Sequence, residues 1–174
     1  MILSNVLTII IPVYNERKTI RQIINKVLRI KNLKKQIIIV DDGSTDGTTE
    51  ILKTISKKNI YKIIYSKNNM GKGHAIKLAQ SHVHGEFVII QDADLEYNPN
   101  DIKKIIKVFK NKDNKVVYGS RVLNSNRYRK NNFTSIIRVF ANHMLTIISN
   151  KINNQNLTDA HTCYKAFSSQ IFKK

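Results

Sequence analysis

Five short apolar runs set the limits on this fold: LTIIIPV (7–13), QIIIV (36–40), YKIIYS (61–66), EFVIIQ (86–91) and KVVYGS (115–120). The first two and the fourth are continuous rather than alternating, and rich in β-branched residues. A strand covered on both faces needs that pattern. Between the runs the apolar period changes to that of a helix. Ile20, Ile23, Ile24, Val27 and Leu28 share one face, as do Ile51, Leu52 and Ile55. GHAIKLAQSHV (73–83) and residues 101–110, with Ile102, Ile105, Ile106 and Phe109, read the same way. The order βαβαβαβαβ predicts an α/β domain with a mostly parallel sheet and helices on both faces. Beyond it, RVLNSNRYRKNN (121–132) predicts a polar, mobile loop, and FTSIIRVFANHMLTIISNKI (133–152) a long amphipathic helix. NNQNLTDAHTCYKAF then predicts a polar turn leading into a short strand. There is no repeat at a solenoid period. The 174 residues are expected to form one domain.

Charge narrows the class of partner. The chain has 30 Lys and Arg against 12 Asp and Glu, a formal net charge of +18. Such a field attracts nucleic acid, anionic lipid or phosphorylated small molecules. A Lys-, Asn- and Ile-rich composition bias accounts for part of it. The lone Cys163 excludes an intramolecular disulfide. The apolar start VLTIIIPVY is too short to span a bilayer and lacks the flanks of a secretory signal. The expected location is cytoplasmic, with peripheral contact at the inner face of a membrane.

Ligands of an open parallel sheet sit at the carboxyl ends of its strands. There the scarce acids gather: PVYNE (12–16), DDGSTDGT (41–48) and DADLE (92–96) follow the first, second and fourth strands. KNNMGKGHA (67–75) follows the third and opens a helix, a place that favours anions. Taken singly, Asn15, Asp42, Ser44 and Asp46 read equally well as turn and cap residues. The DAD triplet is less easily dismissed. Two carboxylates at i and i+2 of a strand end are expected to point the same way and to repel unless a cation lies between them. Mg²⁺ or Mn²⁺ is the natural partner for such hard oxygens.

TIIIPVYNE, IIIVDDGSTDGT, NMGKGHA and FVIIQDADLE together resemble family 2 glycosyltransferases with a GT-A fold, and within them the dolichol-phosphate mannose synthase and polyprenyl-phosphate glycosyltransferase branch. YGSR and the segment from NHMLTIISNK to TCYKAF extend the likeness to about residue 172. The resemblance implies an inverting, metal-dependent transfer of a sugar from a GDP- or UDP-sugar to a polyprenyl phosphate. Pro12, Tyr14 and Glu16 would line the nucleoside pocket, and Val40 and Asp42 would meet base or ribose. Asp92, Ala93 and Asp94 would be the DxD-type motif, with Asp92, Asp94 and Glu96 as metal ligands. Lys72 would lie near the donor. Arg121 matches a phosphate-contacting arginine, and one of Arg127, Arg129 or Arg138 would meet the acceptor phosphate. Asp159 matches the position of a catalytic base, with His161 a weaker candidate; Asp94, Arg121 and Asp159 would carry catalysis.

The nucleotide-sugar half is expected over about 1–119 and the acceptor half over about 120–174. Relatives of this kind usually run on past TCYKAF, so a shortened acceptor side is expected. Residues 103–130 hold ten Lys and Arg against one Asp, which suits an anionic membrane or a lipid-phosphate head. Two alternatives stand beside this reading. One is a nucleotide-sugar-binding homologue without transfer. The other is a basic nucleic-acid-binding module, which lacks any aromatic-studded strand motif or zinc spacing to support it; nucleic acid is not an expected partner.

Overall fold

The structure, a computed structural model, describes residues 2–55, 58, 60–109, 111, 113–123 and 133–174. It divides into two compact units, Met1–Val117 with Ala166–Lys174, and Tyr118–Lys165.

The first unit is built on β1 (Leu3–Val13), α1 (Ile20–Leu28), β2 (Lys34–Asp41), α2 (Thr48–Thr54), β3 (Lys62–Tyr65), α3 (Lys72–Gln80), β4 (Gly85–Ile90) and α4 (Ile102–Val108). β5 (Val116–Tyr118), β6 (Lys165–Ser168) and α6 (Ser169–Phe172) complete the order around α5 (Phe133–Asn153). The sheet runs β3-β2-β1-β4-β6-β5. β1 pairs in parallel with β2 and β4, and β2 with β3. The expected mostly parallel α/β sheet is therefore present.

One neighbour differs from a simple continuation of the βα series. β4 is flanked by the late strand β6, which runs antiparallel to it with Val88 opposite Phe167. Local sequence spacing does not report this, because the two strands are about eighty residues apart.

Both faces of the sheet are covered. Ile10, Ile38 and Val40 point to one side, where Ala75, Ala79 and Val83 pack on them. Their neighbours Ile9, Ile11, Ile37 and Ile39 point to the other and are equally buried. That double burial explains the unbroken apolar runs. On α1 the buried set is Ile20, Ile23, Ile24 and Val27, the stripe expected from spacing. Lys35 Nζ donates to the carbonyls of Val27, Leu28 and Ile30 at 3.0, 2.7 and 2.6 Å, closing the end of α1.

The chain order reverses at β1: the path goes out through β2 and β3, then returns to the other side of β1 as β4. In open α/β sheets a crevice forms at such a switch point, outside the carboxyl ends of the strands.

In the second unit α5 is the main element. Its inward side is polar. Asn150 Nδ2 donates to the Leu157 carbonyl (2.8 Å), Leu157 N–H donates to Asn150 Oδ1 (2.9 Å) and Ala160 N–H donates to Thr146 Oγ1 (3.3 Å). Its exposed side is apolar: Ile137, Phe140, Met144, Leu145, Ile147, Ile148 and Ile152. Among the described residues no helix is long and apolar enough to cross a membrane.

Candidate active site

The carboxyl rim of the first unit carries the loops after β1, β2, β3 and β4. The loop after β1 and the loop after β2 are laced together. Asn15 N–H donates to Ser44 Oγ (3.0 Å), Thr45 N–H to Asn15 Oδ1 (2.8 Å), Glu16 N–H to Thr48 Oγ1 (2.9 Å) and Arg17 N–H to Asp46 Oδ2 (3.0 Å). Asp46 also accepts from Thr48 N–H at 3.0 Å, so it closes the turn that leads into α2, whose N-cap is Gly47. Burial pushes its carboxyl up, but the hydrogen bonds from Thr48 and Arg17 outweigh this and hold it below the usual carboxylate range. Asn15, Ser44, Thr45 and Thr48 are thus the organisers of this rim. The turn-forming run DGSTDGT (42–48) was the signal for Ser44, Thr45 and Thr48, and PVYNE for Asn15.

The two adjacent aspartates are both 2% exposed. Asp41 accepts from Ser44 N–H (3.1 Å) and from the Thr49 hydroxyl. Its charge, after burial, is the second cause that raises the Tyr65 phenol. Asp42 Oδ2 accepts from Met70 N–H (3.1 Å) and Gly71 N–H (2.7 Å). Asp42 therefore clamps the loop after β3 to the loop after β2. Among the described residues its Oδ1 and His74 Nδ1 are buried without hydrogen-bond partners, 3.8 Å from each other. Gly43 lets the loops meet: its φ is +74°, and a Cβ there would lie 2.7 Å from the Asn68 carbonyl carbon.

Val40, expected to meet base or ribose, is fully buried in the core under α3 and offers no side-chain surface. Asp42, expected to meet base or ribose, places Oδ2 on the backbone N–H groups of Met70 and Gly71 and keeps Oδ1 without a hydrogen-bond partner among the described residues. Of the remaining pocket residues, Pro12 is buried, Tyr14 is exposed and Glu16 is half-buried, accepting from the Thr19 hydroxyl at the start of α1.

The loop after β4 is different in kind. β4 stops at Ile90, and residues 91–98 form a bend in which Leu95 takes a φ of +66°. Asp92 and Asp94 are therefore turn residues rather than the aligned strand-end pair expected from their spacing. Asp92 is half-buried beside the buried Gln91 and Ala93, and its Oδ1 is paired with the Lys72 ammonium. Asp94 is exposed and accepts from Glu96 N–H (3.0 Å). Glu96 is exposed as well. Among the described residues no group of three or more His, Cys, Asp or Glu, the expected trio Asp92, Asp94 and Glu96 included, converges as a preformed metal cage. The donor set still fits a hard divalent cation. Mg²⁺-type sites commonly use one or two carboxylates and take their remaining ligands from water and substrate phosphates. The cationic partner already on Asp92 shows that this carboxylate attracts positive charge.

In the second unit Arg121 and Asp159 form a bidentate pair, Nε to Oδ2 at 2.8 Å and Nη2 to Oδ1 at 3.0 Å, with Arg121 N–H on Oδ2 at 3.2 Å. Burial pushes the Asp159 carboxyl up, but the Arg121 hydrogen bonds and charge prevail and hold it below its ordinary value. A carboxylate so held is a weak proton acceptor. His161 is exposed and Cys163 half-buried. Arg127 and Arg129 lie outside the described residues, as does the side chain of Arg138.

With this geometry in place, comparison with known proteins is direct. Residues 8–174 match the family model "Glycosyl transferase family 2". A dolichol-phosphate mannosyltransferase of Pyrococcus furiosus is 31% identical over 71% of this chain and 37% of its own length. Among solved structures, a mannosyltransferase from Pyrobaculum calidifontis in complex with GDP-Man and Mn²⁺ superposes with a TM-score of 0.67 at 20% identity, covering 96% of this chain and 45% of that one. Glucosyl-3-phosphoglycerate synthase of Mycobacterium tuberculosis, in complex with Mn²⁺, UDP-glucose and phosphoglyceric acid, gives 0.68 at 15% identity, covering 96% and 58%. These neighbours share the GT-A fold. The chain spans well under two thirds of the length of each.

Proposed function

Since the chain belongs to glycosyl transferase family 2, we propose that it transfers a sugar from a nucleoside diphosphate donor to a phosphate oxygen of a polyprenyl-phosphate acceptor, with inversion. The observation that carries the proposal is the acid–base chemistry of one corner: Asp92 and Asp94 on an open turn, with Lys72 on Asp92 at the switch point of the sheet. Asp92 and Asp94 would hold Mg²⁺ or Mn²⁺, with Glu96 beside them; the ion would neutralise charge on the departing diphosphate.

An acceptor phosphate oxygen forms the bond to the anomeric carbon, and the bond from that carbon to the diphosphate oxygen breaks with its electron pair. The acceptor is already ionised, so little general-base help is needed. Asp159, paired and acidic, then serves to orient Arg121, whose guanidinium suits a phosphate. Asp42 and Gly43 act by fixing the loop that bears Lys72, while Pro12, Tyr14 and Glu16 border the nucleoside. The donor nucleoside divides the two structural neighbours, one with GDP-Man and one with UDP-glucose, so the sugar stays open between these classes.

Peripheral contact with an anionic membrane fits the same acceptor. The exposed apolar side of α5 and the basic stretch 103–130 offer the two attractions such contact needs. Co-sedimentation with phosphatidylglycerol vesicles at moderate salt should capture the protein, and Ile148→Glu with Ile152→Glu should release it.

A thermal-shift screen of UDP-, GDP- and dTDP-sugars with and without Mn²⁺ tests the core reading. One nucleoside should give a Mn²⁺-dependent rise in Tm, and that donor should support transfer to a polyprenyl phosphate. A shift without turnover favours a binding protein. No shift with any donor removes the reading.

A further inference from the structure

Lys72 opens α3 directly after Gly71, whose N–H is held by Asp42. Its backbone is therefore anchored, while the side chain is nearly half exposed and free to swing on four methylenes. The ammonium rests on Asp92, a carboxylate only 14% exposed. A carboxylate so far from water needs hydrogen-bond donors or a cation. Lys72 is the one seen, and it sits on a group that the reading above gives to a divalent ion.

Two cations cannot share that oxygen in close contact, since like charges at such range repel strongly. A divalent ion on either oxygen of Asp92 meets the repulsion of the ammonium on Oδ1, so its binding favours the ammonium's departure. A nucleoside diphosphate gives it somewhere to go, because its phosphate oxygens would lie on the same ion and present fresh negative charge. We infer that Lys72 is a tethered place-holder cation: it neutralises Asp92 in the ligand-free protein and moves to the diphosphate when metal and donor bind together. This rests on the assignment of Asp92 as a metal ligand.

The consequence is thermodynamic coupling. Metal alone competes with Lys72 and binds weakly; metal with nucleotide does not. By linkage, each ligand strengthens the other by the same factor. Removing the ammonium should tighten the metal alone and shrink the coupling.

The test is Mn²⁺ titration followed by the electron paramagnetic resonance signal of free Mn²⁺, with and without UDP or GDP. Without nucleotide, Lys72→Met should bind Mn²⁺ about three- to fivefold more tightly than wild type, the upper part of the range expected for loss of a partly exposed ion pair. The tightening that nucleotide brings should fall by a similar factor, and Lys72→Gln should behave alike. Lys77→Met makes the same charge change on the exposed side of α3 and should leave Mn²⁺ affinity within about twofold, the weak effect of a screened surface charge. Asp92→Asn should lose the binding.

If Lys72→Met binds Mn²⁺ no more tightly than wild type, or Lys77→Met matches it, the exchange is wrong and the metal site stands. If Asp92→Asn binds Mn²⁺ as wild type does, the assignment of Asp92 and the exchange fall together.

Discussion

The two acidic corners of the rim look alike in sequence and differ in what they do with their charge. Asp41 and Asp42 are buried and accept hydrogen bonds from Ser44, Thr49, Met70 and Gly71. Asp92 and Asp94 stand on a bend, one against the Lys72 ammonium and the other in solvent with a single backbone donor. A carboxylate that spends its lone pairs on its own backbone builds the site. One that keeps them available can bind a ligand. The number of acids in a cluster does not distinguish the two cases; their hydrogen-bond partners do.

The largest effect that would sharpen this contrast is on turnover. Asp94→Asn should lower metal-dependent transfer by about 10²- to 10³-fold, as when one group stabilising transition-state charge is removed. Its stability in urea should stay within about 0.5 kcal/mol of wild type, because the side chain is exposed. A large fall in stability would put Asp94 with the structural pair and break the comparison.

Next comes the backbone of the buried corner. Gly43→Ala combines a left-handed φ with a Cβ against the Asn68 backbone, and should cost about 3 kcal/mol. Asp42→Ala strips the acceptor from Met70 and Gly71, and should cost about 2 kcal/mol. Urea denaturation reads both. Asp42→Ala should also weaken nucleotide binding through the freed loop; unchanged stability would show that its carboxylate is not the clamp.

The smallest effect concerns the third satisfied acid, Asp159, whose partner is a cation rather than an N–H. Its folded value is lowered, so its stabilisation is complete above the unfolded value of about 3.9. It is lost as pH falls through the lower folded value. With Arg121 half exposed, about 1 kcal/mol is expected. Arg121→Ala should flatten the acid limb of a stability–pH curve below about pH 4 and leave neutral pH slightly destabilised. An unchanged limb would remove the pair from the stability of this unit.

Much of the fold was legible in the sequence because burial on both faces leaves a mark on every residue of a strand. Ile9 to Ile11 and Ile37 to Ile39 show it. The helical stripe of α1 was equally plain, since a period of 3.6 residues and the burial it implies are local facts. The place of the site followed from strand order, as the acids after β2 and β4 flank the switch point at β1. The pairing of β6 with β4 was not legible, nor was the outward apolar side of α5, because both depend on residues distant in the chain.

By itself, then, the sequence determined the layered α/β core, the rim on which its acids collect and the family to which the chain belongs. Only the tertiary structure decided which acids are bound up in the fold's own hydrogen bonds and which stand on an open turn. It took Val40 into the core, turned Asp42 toward Gly71, ended β4 before Asp92 and set Lys72 on that carboxylate. The physical reason is that apolar burial is written in periodicity, whereas a carboxylate takes its role from the donors that reach it. The donors that set Asp42 and Asp92 apart, Met70 and Gly71 for the one and Lys72 for the other, come from a different loop of the rim, and no spacing rule records them.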